Sequence, residues 1–398
     1  MNDKDVEIFK QRIRECERWM KEQGMVSLLV FAHGSNLGPA TKSHGYMRYL
    51  CGWDGHQNDT ALIIRPGNEP VLVVTNIFAL YFSQSYFWIK NVRFVKAAAL
   101  GSELAAMCGQ REENRCRLGT LGLGEMPVNS WLALQEGIRG CEMIDAAPHF
   151  DELRLVKDAH QMRRHQQAAA LCDHLFETLA AEIKRPRPAY QLQAELEHRA
   201  RYAGAEFCMT WLTVGPQADY CRFFKEECER TPQRGDQVLL GIYLMLDGYW
   251  GHAIRTGTMG QPSASQQRVF DTAQRMWQGM LDALKAGQNL THFHDAAEAA
   301  LAADFPEDQE RVFRFRHGHG LGHSYEDPVS SLAFPQHYDP DRSARPNVAG
   351  RAGMLFEIHP NLFAPGVGGA AIGDMVALEE QGYSILTSYP RHHLDWAA

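Results

Sequence analysis

The densest group of side chains able to do acid–base or metal chemistry lies in residues 317–328. This segment is His317-Gly318-His319-Gly320-Leu321-Gly322-His323-Ser324-Tyr325-Glu326-Asp327-Pro328. Glycine at alternate positions lets the backbone approach a ligand closely and leaves the imidazoles accessible. Because side chains alternate along a strand, we expect His317, His319 and His323 to share one face. Glycine-rich turns with histidine are common, but three imidazoles and Glu326 within ten residues favour a functional site.

Two further segments place ionisable side chains next to apolar strands. In residues 353–361, Glu357 and His359 are two positions apart and therefore share a strand face. In the other segment, an apolar run over residues 238–246 ends at Asp247-Gly248, which predicts a hairpin with His252 on the returning strand. Taken singly, a strand Glu/His pair most often faces solvent and a lone histidine is most often structural.

A fourth segment, residues 214–222, predicts a turn followed by Arg222. A guanidinium at that place can hold a carboxylate through two parallel hydrogen bonds. An ordinary surface arginine is the alternative interpretation.

The elements that must position these residues fall into two regions. Short strands are predicted at residues 27–32, 61–64, 71–75 and 118–123, after a helix on which Phe9, Ile13, Cys16 and Met20 recur at helical spacing. This alternation indicates an α/β domain. Beyond it we predict helices over residues 152–179, 190–202, 269–284 and 295–303, and then glycine-rich strands to residue 387. The domain boundary is predicted between residues 156 and 157.

Composition narrows the classes of function. The 398 residues include 40 Lys+Arg and 48 Asp+Glu, and without a basic tract this acidic balance argues against nucleic acid as a partner. No apolar run reaches the ~18–20 residues that span a bilayer, so we expect no membrane partner. The polar start lacks the apolar core of a signal peptide. Nine scattered cysteines without a CxxC pair do not form a closed disulfide framework, which favours the cytoplasm.

Taken in their order along the chain, the four segments resemble the creatinase / prolyl- and methionine-aminopeptidase superfamily, whose catalytic domain has the pita-bread fold. The motifs that match its pattern are Val214-Gly215-Pro216-Gln217, Gly235-Asp236-Gln237-Val238 with Asp247-Gly248-Tyr249 and Arg255-Thr256, Gly318-His319-Gly320-Leu321-Gly322, residues 353–360, and Gly373-Asp374-Met375-Val376 with Gly382-Tyr383. One such motif is weak, but five in register are strong. The turn Tyr49-Leu50-Cys51-Gly52-Trp53 is similar to one in the superfamily's N-terminal domain.

The resemblance implies an α+β chain. Residues 1–156 would form the smaller creatinase-type α/β domain, and residues 157–398 the pita-bread catalytic domain. It also implies a homodimer in which His56 and Asn58 of the N-terminal domain reach the partner's pocket.

The metal ligands of the superfamily are where this chain departs from the pattern. Metal-dependent members hold two divalent ions with two Asp, one His and two Glu. The corresponding positions here are Gly241, His252, His319, His359 and Gly373. Since two ions need carboxylates to offset their charge, we expect no metal cofactor. A single Zn bound by His252, His319 and His359 is the alternative.

The acid–base histidines of the peptidases are also replaced, by Arg222 and Glu326. Creatinase, in the same superfamily, hydrolyses a C–N bond without metal. We therefore predict a metal-independent, creatinase-like, non-peptidase hydrolase that cleaves a C–N bond in a small carboxylate-bearing nitrogen metabolite by His/Glu catalysis. The predicted catalytic residues are His252, His319, Glu326 and His359. The predicted substrate-binding residues are Arg222, Tyr220, His323, Glu357, His56 and Asn58.

Three alternatives use the same scaffold. One is a lyase or decarboxylase, since a carbanion route needs only a base and an anion sink. Another is a mononuclear metal-dependent, aminopeptidase-like hydrolase. The last is a non-catalytic binding module.

Overall fold

The computed structural model describes residues 3–108, 116–218, 225–306, 311–326, 328 and 348–398. The chain divides into one unit made of Met1–Arg154 with His323–Asp327, and a second made of Leu155–Gly322 with Pro328–Ala398. The domain boundary between residues 156 and 157 stays a prediction.

The N-terminal unit is an α/β layered structure. Its strands are β1 (Ser27–Ala32), β2 (Thr60–Ile64), β3 (Val71–Val74), β4 (Val92–Phe94), β5 (Cys116–Leu121) and β6 (Cys141–Asp145). Its helices are α1 (Asp3–Glu22), α2 (Ser43–Cys51), α3 (Ile77–Tyr86), α4 (Leu100–Cys108), α5 (Val128–Gly137) and α6 (Ala147–Leu155), with 3-10 turns at Ser35–Ala40, Ala97–Ala99 and Leu123–Glu125. The sheet order is β4-β3-β2-β1-β5-β6.

The central strand β1 shows why this unit has helices on both faces of its sheet. Its side chains alternate, and Leu28 and Val30 pack in one apolar cluster with α1 and α2. Leu29 and Phe31 pack in another cluster with α4 and α5. A strand that is buried on both faces therefore has a continuous apolar sequence. The predicted first helix, the strand at 27–32 and the β2–β3 hairpin are confirmed.

Two features of this unit were not anticipated from the sequence. Cys116 and Cys141, which face each other across the parallel strands β5 and β6, form a disulfide. The fifth strand ends at Leu121 rather than at residue 123, because Gly122 adopts a left-handed conformation with φ of 72°.

A buried ion pair holds the turn that carries His56. The Asp54 carboxylate accepts hydrogen bonds from Ser35 N at 3.0 Å, from His56 N at 2.7 Å and from Arg48 Nε at 3.1 Å. Burial acts to raise the pKa of Asp54, but Arg48 and these backbone amides hold it well below its usual range.

We therefore expect Asp54→Asn to lower the free energy of unfolding of the N-terminal unit by about 3–5 kcal/mol, since it removes the carboxylate charge that pairs with the buried Arg48 guanidinium. Urea unfolding measures this loss. A group with a depressed native pKa stabilises fully above its unfolded pKa of about 3.9. The difference between the two proteins should therefore be constant above about pH 4 and shrink as the pH falls further. Glu7→Gln, in an exposed pair with Arg14, is the control and should change little. An equally small effect of Asp54→Asn would contradict the prediction.

The C-terminal unit contains the remaining elements. Its helices are α7 (Ala159–Glu182), α8 (Ala189–Tyr202), α9 (Ala264–Ala283) and α10 (Thr291–Asp304), with a 3-10 turn at Lys225–Cys228. Its strands are β7 (Phe207–Gly215), β8 (Gln237–Leu246), β9 (Tyr249–Thr258), β10 (Gly318–Gly320), β11 (Leu355–Ile358), β12 (Asn361–Ala364), β13 (Gly368–Ala371), β14 (Asp374–Leu378), β15 (Tyr383–Ile385) and β16 (Leu394–Asp395). They form sheets ordered β16-β9-β8-β7, β10-β11-β14-β15 and β12-β13.

Each larger sheet in this unit is covered by a helix pair on one face. In β8, Val238, Leu240 and alternate residues after them pack with α7 and α8. In β11, Phe356 and Ile358 pack with α9 and α10. Since side chains alternate, the intervening residues of both sheets point away from the helices. The predicted hairpin at Asp247-Gly248 is confirmed.

One predicted helix is wrong in its extent. Residues 152–179 are not one helix, because α6 ends at Leu155 and α7 starts at Ala159. Asp158 caps α7 by accepting hydrogen bonds from His160 N and Gln161 N, both at 2.8 Å. Among the residues that the structure describes, none of the helices combines the length and apolarity needed to span a bilayer.

Candidate functional site

Four buried side chains of the C-terminal unit converge on the sheet faces that point away from the helices. They are His252 on β9, His319 on β10, Glu357 on β11 and His359 just after β11. Each offers one nitrogen or oxygen atom, and these four atoms all lie within 4.8 Å of one another. The relative exposures are 1%, 0%, 0% and 2% in that order.

The alternation of side chains in the strands explains this convergence. His252 points to the same side of β9 as Ile254, whereas Ala253 faces the helices. Ile254 belongs to what we call the inner apolar cluster, which consists of Trp211, Ala218, Leu239, Ile254, Phe363 and Ala371. His319 pairs directly with Glu357 across the antiparallel strands β10 and β11. His359 follows Glu357 by two residues and so projects to the same side.

The Glu357 carboxylate lies at the centre of the three imidazoles. Its Oε2 atom is hydrogen-bonded to His359 Nδ1, and lies 3.5 Å from His252 Nδ1 and 3.9 Å from His319 Nε2. The other oxygen, Oε1, has no hydrogen-bond partner among the described residues. A buried carboxylate oxygen without a partner is costly unless a cation or donor fills the site.

Burial sets the protonation of this cluster. It raises the pKa of Glu357 well above its usual range, an effect that Asp374 reinforces. It lowers the pKa of His252 and His359 well below the usual range, and the neighbouring imidazoles and Arg316 add to this. His252 and His359 are therefore held neutral, the form in which histidine binds metal. A divalent cation would displace the proton from Glu357.

Neighbouring groups orient the imidazole rings. His319 Nδ1 donates to the carbonyl of Gly320 at 2.8 Å, which leaves Nε2 with its lone pair toward Glu357. Tyr243 stacks on His252 with ring centroids 4.4 Å apart. Phe315 packs against His359 at 5.7 Å. Such fixed rings and tautomers are typical of metal-ligating histidines.

The donor set fits a single transition-metal ion. Three imidazoles and a carboxylate are ligands typical of Zn²⁺, whose bonds to nitrogen are about 2.0–2.1 Å long. The expectation that no metal binds is therefore not supported by the chemistry of these residues, and Glu357 joins the three histidines of the alternative Zn site.

The prediction that His317, His319 and His323 share one face is wrong. The strand β10 ends at Gly320, so His323 lies beyond it. His317 Nε2 lies 2.8 Å from Glu298 Oε1, and its ring stacks on His294 at 5.2 Å. His317 therefore packs outside the four-residue cluster.

The other predicted site residues are placed as follows. Arg222 and Tyr220 lie outside the described residues. His323 and Glu326 are buried and group with the N-terminal unit, where Lys42 Nζ lies 3.4 Å from Glu326 Oε2. Glu326 has a positive φ of 61°, a conformation that bulky residues rarely adopt and that is often found at functional sites.

The two N-terminal residues predicted to reach a partner's pocket lie in a turn before β2. His56 is exposed and has a φ of 55°. Asn58 Oδ1 accepts a hydrogen bond from Asn76 Nδ2 at 3.3 Å. Their role toward a partner stays a prediction.

The sequence predicts Glu357 as a substrate-binding residue and not as a metal ligand. The Glu-x-His spacing was the available signal, because it places both side chains on one strand face. What was missing was the pairing with His319, which lies 38 positions earlier.

Comparison with known families decides the classification. Residues 163–380, more than half of the chain, match the model of "Metallopeptidase family M24", and residues 12–156 match "Creatinase/Prolidase N-terminal domain". The chain belongs to family M24. Its fold class is therefore the predicted one, an N-terminal creatinase-type α/β domain followed by the pita-bread domain of this family.

Curated relatives carry peptidase names, and solved structures share the fold. YkvY of Bacillus subtilis, whose name marks it provisionally as a dipeptidase, is 24% identical over 96% of this chain and 98% of its own length. The prolidase from Pyrococcus horikoshii has a TM-score of 0.78 at 17% identity and covers 96% of this chain and 100% of that one. The dipeptidase PepE from Mycobacterium ulcerans has a TM-score of 0.74 at 22% identity, with 98% of both chains covered.

These findings correct the functional prediction. A metal-independent, creatinase-like, non-peptidase hydrolase is contradicted, because the M24 family is one of metallopeptidases and the relatives are named peptidases. The prediction of no cofactor is contradicted by the same match and by the buried His/Glu cluster. Hydrolysis itself, and the M24-type pita-bread fold, are supported.

Proposed function

We propose that this protein is a metal-dependent hydrolase of peptide bonds in short peptides, with its ion held by His252, His319, Glu357 and His359. The observation that carries the proposal is the convergence of these four buried donors within 4.8 Å of one another. The peptidase names of the family and of its relatives supply the bond type.

Each residue of the cluster would contribute one ligand atom to the ion. The three imidazoles would supply nitrogen donors, and Glu357 would supply the only negative charge of the four residues. A divalent ion held by these residues would supply Lewis acidity toward a carbonyl oxygen and toward a water molecule.

Other roles rest on the predicted residues. Glu326 stands where the peptidases of the superfamily have an acid–base histidine, and we propose it as the group that transfers the proton. Arg222 and Tyr220 are proposed to bind the substrate carboxylate. We also propose that the substrate is a small molecule and that the protein is cytoplasmic. It would form a homodimer in which His56 and Asn58 lie at the partner's pocket.

Metal analysis with a peptide assay tests the function directly. The purified full chain is analysed for metal, stripped with a chelator, and assayed for amine release from a panel of dipeptides that includes Xaa-Pro dipeptides. We expect hydrolysis to be lost after stripping and restored by Zn²⁺, Mn²⁺ or Co²⁺. Full hydrolysis by the stripped protein would sink the metal-dependent mechanism. Metal binding without hydrolysis of any dipeptide would instead favour a binding module.

A further inference from the structure

Gly241 and Gly373 lie in one row of residues that pair across neighbouring strands. This row lies beside the four-donor cluster, which is His252, His319, Glu357 and His359. Trp211 on β7 pairs with Gly241 on β8, and Gly241 pairs with Ile254 on β9. Ile254 in turn exchanges backbone hydrogen bonds with Gly373, at 3.1 and 2.9 Å. The resemblance places carboxylate ligands of two-ion members at the positions of Gly241 and Gly373.

The space above Gly241 is filled by the Trp211 indole. A Cβ atom on Gly241 would lie within 2.5 Å of three atoms of that ring, far inside van der Waals contact. Trp211 is fully buried and packs with Leu239, Ile254 and Phe363 in the inner apolar cluster. The ring is therefore fixed where an aspartate side chain would otherwise project.

The space above Gly373 is filled by the Glu357 carboxylate. A Cβ atom on Gly373 would overlap Glu357 Oε1 and lie 2.7 Å from Ile254 N. A carboxylate is thus present at this place, although it comes from a different strand. One missing ligand is replaced by a relocated acid, and the other by an apolar ring.

The charge of the four-donor cluster also favours one ion rather than two. Among the described residues the cluster holds a single carboxylate. Asp374, the acid that raises the pKa of Glu357, is already bonded to Arg255, Arg391 and Thr387. One divalent ion would leave one uncompensated positive charge, whereas two would leave three in a water-excluded site, which is strongly unfavourable.

We infer that this site accepts one ion only, and that Trp211 is the residue that shuts out a second. The inference rests on the proposed metal-dependent function and specifies its stoichiometry. Trp211 acts here as a space-filling residue and is not one of the four donors.

Metal stoichiometry tests the inference without reference to activity. Native mass spectrometry and elemental analysis of the full chain, titrated with Zn²⁺ and with Mn²⁺, should show one equivalent bound. The double variant Trp211→Gly/Gly241→Asp, which removes the ring and supplies a carboxylate, should bind a second equivalent. Trp211→Phe, which keeps the space filled, is the matched control and should still bind one.

The outcomes separate the two proposals. Two equivalents bound by the unaltered protein, or a folded double variant that still binds only one, would overturn the role of Trp211. No metal bound by the unaltered protein would overturn the proposed function instead. If the double variant does not fold, the stoichiometry of the unaltered protein still tests the one-ion inference, and the packing of Trp211 over Gly241 is tested by thermal stability. A thermal-stability cycle adds a check that needs no metal, since Gly241→Ala should lower Tm in the unaltered protein and much less in the Trp211→Gly background.

Discussion

Replacement of His319 by Ala is expected to abolish dipeptide hydrolysis and to lower the affinity for Zn²⁺ by more than about 100-fold, since even residues that only orient ligands contribute 10- to 100-fold. His319 is the position at which this chain and the metal-dependent members of the superfamily agree. Its ring is fully buried and is oriented by the Gly320 carbonyl. Calorimetric titration of the stripped protein with Zn²⁺ gives the affinity, and amine release gives the activity.

A buried histidine outside the cluster provides the control for this variant. His165 is fully buried on α7, with Nδ1 donating to the carbonyl of Trp250 at 3.0 Å. His165→Ala should lower stability but leave the Zn²⁺ stoichiometry unchanged. Equal affinities in the His319→Ala and unaltered proteins would contradict the assignment of His319 as a ligand.

Arg255→Met is expected to lower the free energy of unfolding of the C-terminal unit by about 3–5 kcal/mol, because it removes several buried hydrogen bonds and leaves the buried Asp374 carboxylate with Arg391 as its cation. The Arg255 guanidinium is 1% exposed and donates to Asp374 Oδ1 at 2.7 Å, to the carbonyl of Gly373 at 2.6 Å and to that of Ile254 at 2.8 Å. It therefore joins β9 to β14 next to the donor cluster. Methionine keeps most of the apolar stem and removes the charge.

Urea unfolding of the variant measures this loss. Combining Arg255→Met with Asp374→Asn should recover part of it, since the fully buried carboxylate is then removed, while the side chain of its other partner, Arg391, is 25% exposed and reaches solvent. Arg164→Met, which breaks an exposed pair with Asp247, should change stability little. A small loss in Arg255→Met, or no recovery in the double variant, would show that the ion pair is not what holds these strands together.

The sequence predicted the local structure correctly where the spacing of apolar residues and the turn-forming residues were clear. The β1 strand, the β2–β3 hairpin and the Asp247-Gly248 hairpin each depend on residues close in the chain. The helix predicted over 152–179 failed because the cap formed by Asp158 outweighed a continuous helical pattern.

The prediction of a metal-free site had a specific physical cause. The prediction considered ligands only at the five positions where the superfamily has them, and two of these positions are Gly241 and Gly373. Glycine leaves space that a neighbour can fill, and the neighbour at Gly373 is the carboxylate of Glu357. Substitution at a ligand position therefore does not by itself remove a metal site.

The sequence alone determined the family, the α+β fold and the three histidines of the site, because motif spacing and side-chain alternation are local properties. Only the tertiary structure decided which side chains meet. It brings Glu357 among the imidazoles, takes His317 away to Glu298, and places the Trp211 ring over Gly241. These contacts join residues far apart in the chain, and they depend on which strands pair and on how the space left by each glycine is packed.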